Sequence, residues 1–268
     1  MEAAEDRIID TPFDPALTCG GASGGSAVAL ATSMLPLANG SDLGGSLRTP
    51  ASFCGVAGLR PTPGLVPDET RSIGFLPLSV EGPMARSVED LALMLSALAG
   101  DDPRDPLTRA GATPGAAVPD LDLGRLRVAL SEDLGFAPVD RKVRALFRAR
   151  CAALRPLFAE VVERDPEMAE ADRVFEVLRG VGFLASHLEK LRKTPEKLGP
   201  NVRANIELGL TFTAEDVAWA AAEQTRIYRA FVALMAEVDL LIVPAVAAQP
   251  FPKERNHPAE IDGRPLEP

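Results

Sequence analysis

Histidine is almost missing from this chain: 268 residues contain two, His187 and His257. Any nucleophile activated by histidine must draw on one of them. Cysteine is nearly as sparse. Cys19, Cys54 and Cys151 are odd in number and far apart, which argues against a disulfide framework and against the paired CxxC spacing of a zinc site. Basic residues are outnumbered 28 to 38, for a formal net charge of -10, so neither nucleic acid nor an anionic membrane is expected as a partner. No apolar run is long enough to span a bilayer. The start, MEAAEDRIID, lacks the basic end and apolar core of a signal peptide. A cytoplasmic protein without metal or cofactor is the expectation.

The remainder is ordinary globular composition, 46% hydrophobic and 25% charged, enough for a substantial core. Pro12 and Pro15 oppose regular structure near the start. The small residues of SGGSAVALATSM, from Ser23, predict a closely packed helix, LPLAN at 35–39 a short strand and GSDLGGS a loop. Ser87 is expected to cap a helix whose face is Leu91, Leu95 and Leu98, with Gly100 at its stop. Residues 101–124 read as an exposed Pro- and Gly-rich loop, and RLRVAL at 125–130 as a strand. Val143, Leu146, Phe147, Leu154, Leu157, Phe158 and Val161 recur at helical spacing, with Pro156 dividing the helix. Further helices are expected from Asp172 to Leu191 and, capped by Thr213 with Asp216 in a capping box, to Ala236. DLLIVP at 239–244 reads as the buried strand, followed by a Pro-rich end with no closing element. Helices alternating with apolar strands indicate an α/β fold.

Two glycine-rich turns, CGGASGGS at 19–26 and GSDLGGS at 40–46, flank one helix and one strand. Glycines let backbone N–H groups crowd round a substrate without Cβ obstruction. Ser46, directly after Gly44 and Gly45, combines a hydroxyl able to attack a carbonyl with adjacent donors for the resulting oxyanion. The unspecific reading is that these are simply turns. A phosphate-binding loop is disfavoured, because no Lys–Ser/Thr pair follows the glycines. Gly21 to Gly25 also satisfies G-x-S-x-G, which would make Ser23 the nucleophile of an α/β-hydrolase with His257; that motif needs a buried strand before it, and TPFDPALTC is a poor one. His187, Trp219 and Tyr228 read as helix packing residues.

The succession from Gly20 to Thr62, GGASGGSAVALATSMLPLANGSDLGGSLRTPASFCGVAGLRPT, resembles the signature segment of the amidase signature family of serine hydrolases. That pattern runs GGSSGG, a small-residue helix, G-x-D-x-GGS-[IL]-R-x-P, then CG-x-x-G-[LK]-x-P. PLSVEGPMARSVEDLALML at 77–95 and DLLIVPAV at 239–246 are also similar to family segments. The resemblance implies one domain over 1–268 with the signature segment at 19–62 and a mixed sheet between helices. It also implies a Ser, cis-Ser, Lys triad acting on a small-molecule amide. By motif position Ser46 matches the nucleophile, and the N–H groups of Leu43, Gly44, Gly45 and Ser46 match the oxyanion hole. Asp42 and Arg48 match polar residues that brace the loop, or form an ordinary ion pair.

Two departures qualify that expectation. The first serine of GGSSGG relays the proton, and here that position is Ala22, whose methyl group cannot do so. Ser23 matches the supporting second serine, and Ser23 or Ser26 stands as an alternative relay. The family's lysine lies upstream of the glycine-rich segment, whereas Lys142, Lys190, Lys193, Lys197 and Lys253 all follow it. The sequence therefore reads as a central family fragment, incomplete at both ends, and as a hydrolase impaired in proton relay or a non-catalytic homologue.

Overall fold

The computed structural model describes residues 10–109, 111 and 114–266. Among these the chain forms two compact units, one from residues 10–120 with 248–266 and one from residues 121–247.

The first unit carries the glycine-rich segment. Helix α1 (Gly24–Ala31) is followed by β1 (Leu37–Asp42), α2 (Arg48–Cys54), β2 (Ala57–Gly58), β3 (Val80–Ala85) and α3 (Val88–Leu98). The strands form an antiparallel sheet in the order β1-β3-β2. Gly40, Ser41 and Asp42 therefore lie in a strand, not in the loop expected from their composition. Each has a partner on β3, Gly40 opposite Gly82 and Asp42 opposite Val80, and cross-strand pairing overrides a local turn preference. Behind the sheet Ala27 and Leu30 of α1 meet Ala38, Leu47, Ala51, Cys54 and Met84. Small side chains on α1 permit that approach. Ser87 caps α3 as expected, its Oγ accepting from the Asp90 N–H at 3.1 Å. Gly100 takes no left-handed cap; its N–H instead donates to Leu65 O.

Two further expectations change in this unit. Within 101–124, Asp105 is buried, accepting from the N–H groups of Asp68 and Leu107 and pairing with Arg71 at 3.1 Å. The C-terminal stretch does form closing contacts. Thr18 N–H donates to Phe251 O, Lys253 pairs with Asp10, Phe251 meets Phe53 edge-on, and a hairpin follows from β7 (Glu260–Ile261) and β8 (Arg264–Pro265). The partners of Phe251 and Lys253 lie 198 to 243 residues away in sequence, so no local pattern signals them.

The second unit is a parallel sheet flanked by helices. Its elements are β4 (Arg127–Leu130), α4 (Arg141–Leu154), β5 (Glu160–Glu163), α5 (Ala171–Lys193), α6 (Pro200–Thr211), α7 (Ala214–Glu237) and β6 (Leu240–Ile242), with strand order β5-β4-β6. Alternation on central β4 serves two cores: Val128 and Leu130 pack with Cys151, and Ala129 with Leu234 and Val238. Val161 lies on β5 and not on a divided helix; Pro156 falls in a short 3-10 turn that ends the helical run. The Pro-, Lys- and Gly-containing stretch at 194–200 reads from the sequence as a break between helices, yet α6 starts at Pro200, because proline is well accommodated in a first helical turn. The capping box of Thr213 and Asp216 is present. Leu240 of the supposedly buried β6 is 42% exposed, and Tyr228 at 67% is no packing residue. Among the described residues no helix is long and apolar enough to cross a membrane.

Candidate active site

The two glycine-rich turns meet. Gly21 has φ +51°, and a Cβ placed on it would fall 2.9 Å from Ser46 Cα and 2.9 Å from Pro50 Cδ. Only a residue without a side chain allows the 19–22 turn to lie so closely against the residue carrying the candidate nucleophile. Ala22 follows at once and is exposed. Gly45, at φ +107°, turns the chain into Ser46, and Thr49 N–H closes this turn on Gly45 O at 2.7 Å.

Below the turn lies Asp42, whose side chain is fully buried. Its carboxylate accepts from Gly45 N–H at 2.8 Å, Leu47 N–H at 3.4 Å and two nitrogens of Arg48 at 2.9 and 3.0 Å. Burial alone would raise its pKa. The Arg48 hydrogen bonds, the Gly45 N–H and the charges of Arg48 and Arg60 more than reverse this and hold it at about 2. The expected pairing of Asp42 with Arg48 is thus a two-pronged fork under the loop.

This arrangement alters the expected set of oxyanion donors. Gly45 N–H is committed to Asp42, so it is not free for a substrate oxygen. The N–H groups of Leu43, Gly44 and Ser46 have no acceptor among the described residues. Neither does Ser46 Oγ.

Both hydroxyls considered as replacement relays are already engaged. Ser23 Oγ donates to Ser41 O at 3.2 Å and accepts from Ser41 N–H at 3.1 Å, and Ser26 Oγ donates to Asn39 O at 2.9 Å. They tie α1 to β1. Ser23 is buried, and the residues before it form a turn, not a strand, so the G-x-S-x-G reading loses its structural context. His257 Nδ1 lies 2.9 Å from Pro258 O, and His187 packs against the Phe183 ring. Lys253 is paired with Asp10, and Lys193 with Glu189.

Two residues not singled out from the sequence belong to this loop. Arg60 donates to the Asp42 carbonyl and carboxylate and, at 2.9 Å, to Leu78 O. It and Arg48 are the only charged residues between Leu43 and Pro67, a signal that would have marked both. Thr49 stands between the turns: a Cβ on Gly20 would meet its Cγ2 at 2.8 Å, and one on Gly45 its Oγ1 at 2.9 Å.

A family model described as Amidase matches residues 8–265. The chain belongs to the amidase family. An amidase of Pseudomonas putida is 38% identical to it over 253 residues, and an acylamidase of Rhodococcus erythropolis 32% over 261 residues. These alignments cover 91% and 95% of this chain but 53% and 54% of the relatives, so the chain spans about half the length of the curated relatives it matches. The fold is that of the amidase signature enzymes: a bacterial aryl acylamidase of that group superposes with a TM-score of 0.85 at 23% identity, over 97% of this chain and 57% of its own.

Proposed function

We propose that this amidase-family chain carries the nucleophile and oxyanion loop of a hydrolase acting on carboxylic amide C–N bonds. Ser46 Oγ attacks the carbonyl carbon, and the N–H groups of Leu43, Gly44 and Ser46 hold the tetrahedral oxygen. The C–N bond then breaks, the amine leaves with a proton, and water releases the acid from Ser46. The observation that carries this reading is the row of unengaged N–H groups flanking an unengaged serine hydroxyl. One such donor lowers the barrier by roughly 2.7–4 kcal/mol. Asp42, Arg48 and Arg60 hold the loop from below.

The attacking hydroxyl must lose its proton, and at the relay position Ala22 offers no acceptor. With Ser23 and Ser26 tied to β1, the proposal for this chain is low intrinsic activity. A non-catalytic amidase homologue is the second reading, favoured by the same alanine. The proposal extends to a cytoplasmic setting, supported by three free, buried cysteines.

A fluorophosphonate probe tests both halves. Weak labelling confined to Ser46 is expected, well below that of the Pseudomonas putida amidase. Labelling as strong as that enzyme's would overturn the broken relay, and labelling of Ser23 would overturn the assignment of the nucleophile.

A further inference from the structure

Strands β4 and β5 lie side by side and parallel, yet the chain leaves their carboxyl ends for opposite faces of the sheet. From β4 it passes to α4, whose Phe147 and Cys151 pack on Val128 and Leu130. From β5 it runs on to α7, whose Leu234 packs with Ala129 and Val162 on the other face. Connections that diverge in this way open a crevice beyond the carboxyl ends of the two strands, the place where open α/β sheets bind ligands. A cavity of about 440 Å³ opens there, lined by residues 130–133 at the end of β4, 163–165 at the end of β5 and one side of α4. That volume lies within the roughly 300–1,000 Å³ of small-molecule sites.

Four arginines and four carboxylates face the cavity, so its lining is neutral overall. Arg148 forks onto Glu132 through Nε and Nη2, and Arg144 donates through Nε to Val139 O at 3.1 Å and through Nη1 to Asp133 at 2.7 Å. Among the described residues, Arg144 Nη2 and Arg148 Nη1 have no hydrogen-bond acceptor. Asp165 is the converse. Its Oδ1 accepts from Ser131 Oγ at 2.6 Å, and among the described residues no cation pairs with it. Gly135, at φ +78°, lets the loop after β4 close on this acid: a Cβ there would meet Asp165 Cβ at 3.1 Å. Leu130 and Phe147 supply an apolar floor.

Spare guanidinium N–H groups suit a carboxylate, and an unpaired acid suits an ammonium. A simple anion would leave Asp165 unanswered beside a like charge, and a simple cation would do the same to the arginines; a zwitterion answers both. We propose that this cavity binds a free α-amino acid with an apolar side chain, its carboxylate on Arg144 and Arg148, its ammonium on Asp165 and its side chain on Leu130 and Phe147. Every lining residue belongs to the second unit, so the site does not depend on the hydrolase reading.

The test is isothermal titration of the full chain with L-phenylalanine and L-leucine. Saturable binding at one site is expected. Two analogues of phenylalanine, 3-phenylpropanoate without the ammonium and 2-phenylethylamine without the carboxylate, should each bind at least tenfold more weakly. Asp165→Asn and Arg148→Gln should weaken the amino acids at least tenfold, and Ala152→Phe, which fills the cavity from the exposed side of α4 without changing a charge, should abolish binding. Circular dichroism melts confirm that each variant is folded. The analogue series needs no variant, so the proposal stays open to refutation should one fail to fold. No saturable heat with either amino acid, equal affinity for either analogue, or unchanged affinity in folded Ala152→Phe or Asp165→Asn would each overturn it.

Discussion

Gly21 lies against Ser46 with no room for a methyl group between them, the nearest approach of an added Cβ to Ser46 Cα being 2.9 Å. Gly21→Ala also places a side chain at φ +51°. Strain of this kind costs about 1–3 kcal/mol, and here the atoms that must move carry Ser46. The expected result is a lower urea midpoint together with complete loss of fluorophosphonate labelling at Ser46.

Asp42→Asn removes the buried counter-charge of two arginines. A loss of about 3 kcal/mol is expected, the low end for a broken buried pair because Arg48 is half exposed. The effect depends on pH. The Asp42 carboxyl is held at about 2 in the folded chain, below the roughly 3.9 of an unfolded one. Its stabilisation is therefore present above about pH 4 and lost as pH falls toward 2. Urea melts across that window should converge for the two proteins at the acid end. A constant gap would show that Asp42 does not titrate in this way.

Ser23→Ala deletes both hydrogen bonds to Ser41 and leaves the strand groups without their partner. A destabilisation of about 1–3 kcal/mol is expected from the thermal midpoint, while residual labelling of Ser46 persists in the folded protein. Abolished labelling without loss of stability would instead place Ser23 in the chemistry.

The thiols should be inert. Burial raises all three, and the neighbouring Cys19 adds to burial in pushing Cys54 up to about 11. An aromatic disulfide reagent at neutral pH should titrate none of them in the native chain and three after denaturation. Fast native reaction of Cys19 or Cys54 would contradict the packing of α1 against α2.

Local signals carried much of this structure into view from the sequence. Thr213 with Asp216 and Ser87 with Asp90 cap helices through side chains three residues away, so their meaning is readable in a short window. The GGS turn at Ser46 was legible for the same reason. The misread parts depend on distant partners. Gly40 to Asp42 become strand only because β3 pairs with them, and the C-terminal stretch is held by residues 10–18. Asp42 reads from the sequence as a loop brace or an ordinary ion-pair partner of Arg48, but its hold on Gly45 N–H follows from the fold of the loop in space, not from spacing.

The order of strands β5-β4-β6 also constrains how the second unit is made. Strand β4 acquires its first neighbour after one helix, through β5. Its other neighbour starts at Leu240, and Arg127 reaches Asp239 across a separation of 112 residues. Closing so long a loop slows folding. During synthesis one side of β4 therefore stays unpaired while α5, α6 and α7 emerge, and its apolar edge is open to other chains in that interval. Ending the chain before β6 leaves that side of β4 unpaired for good and moves the balance from folding to aggregation.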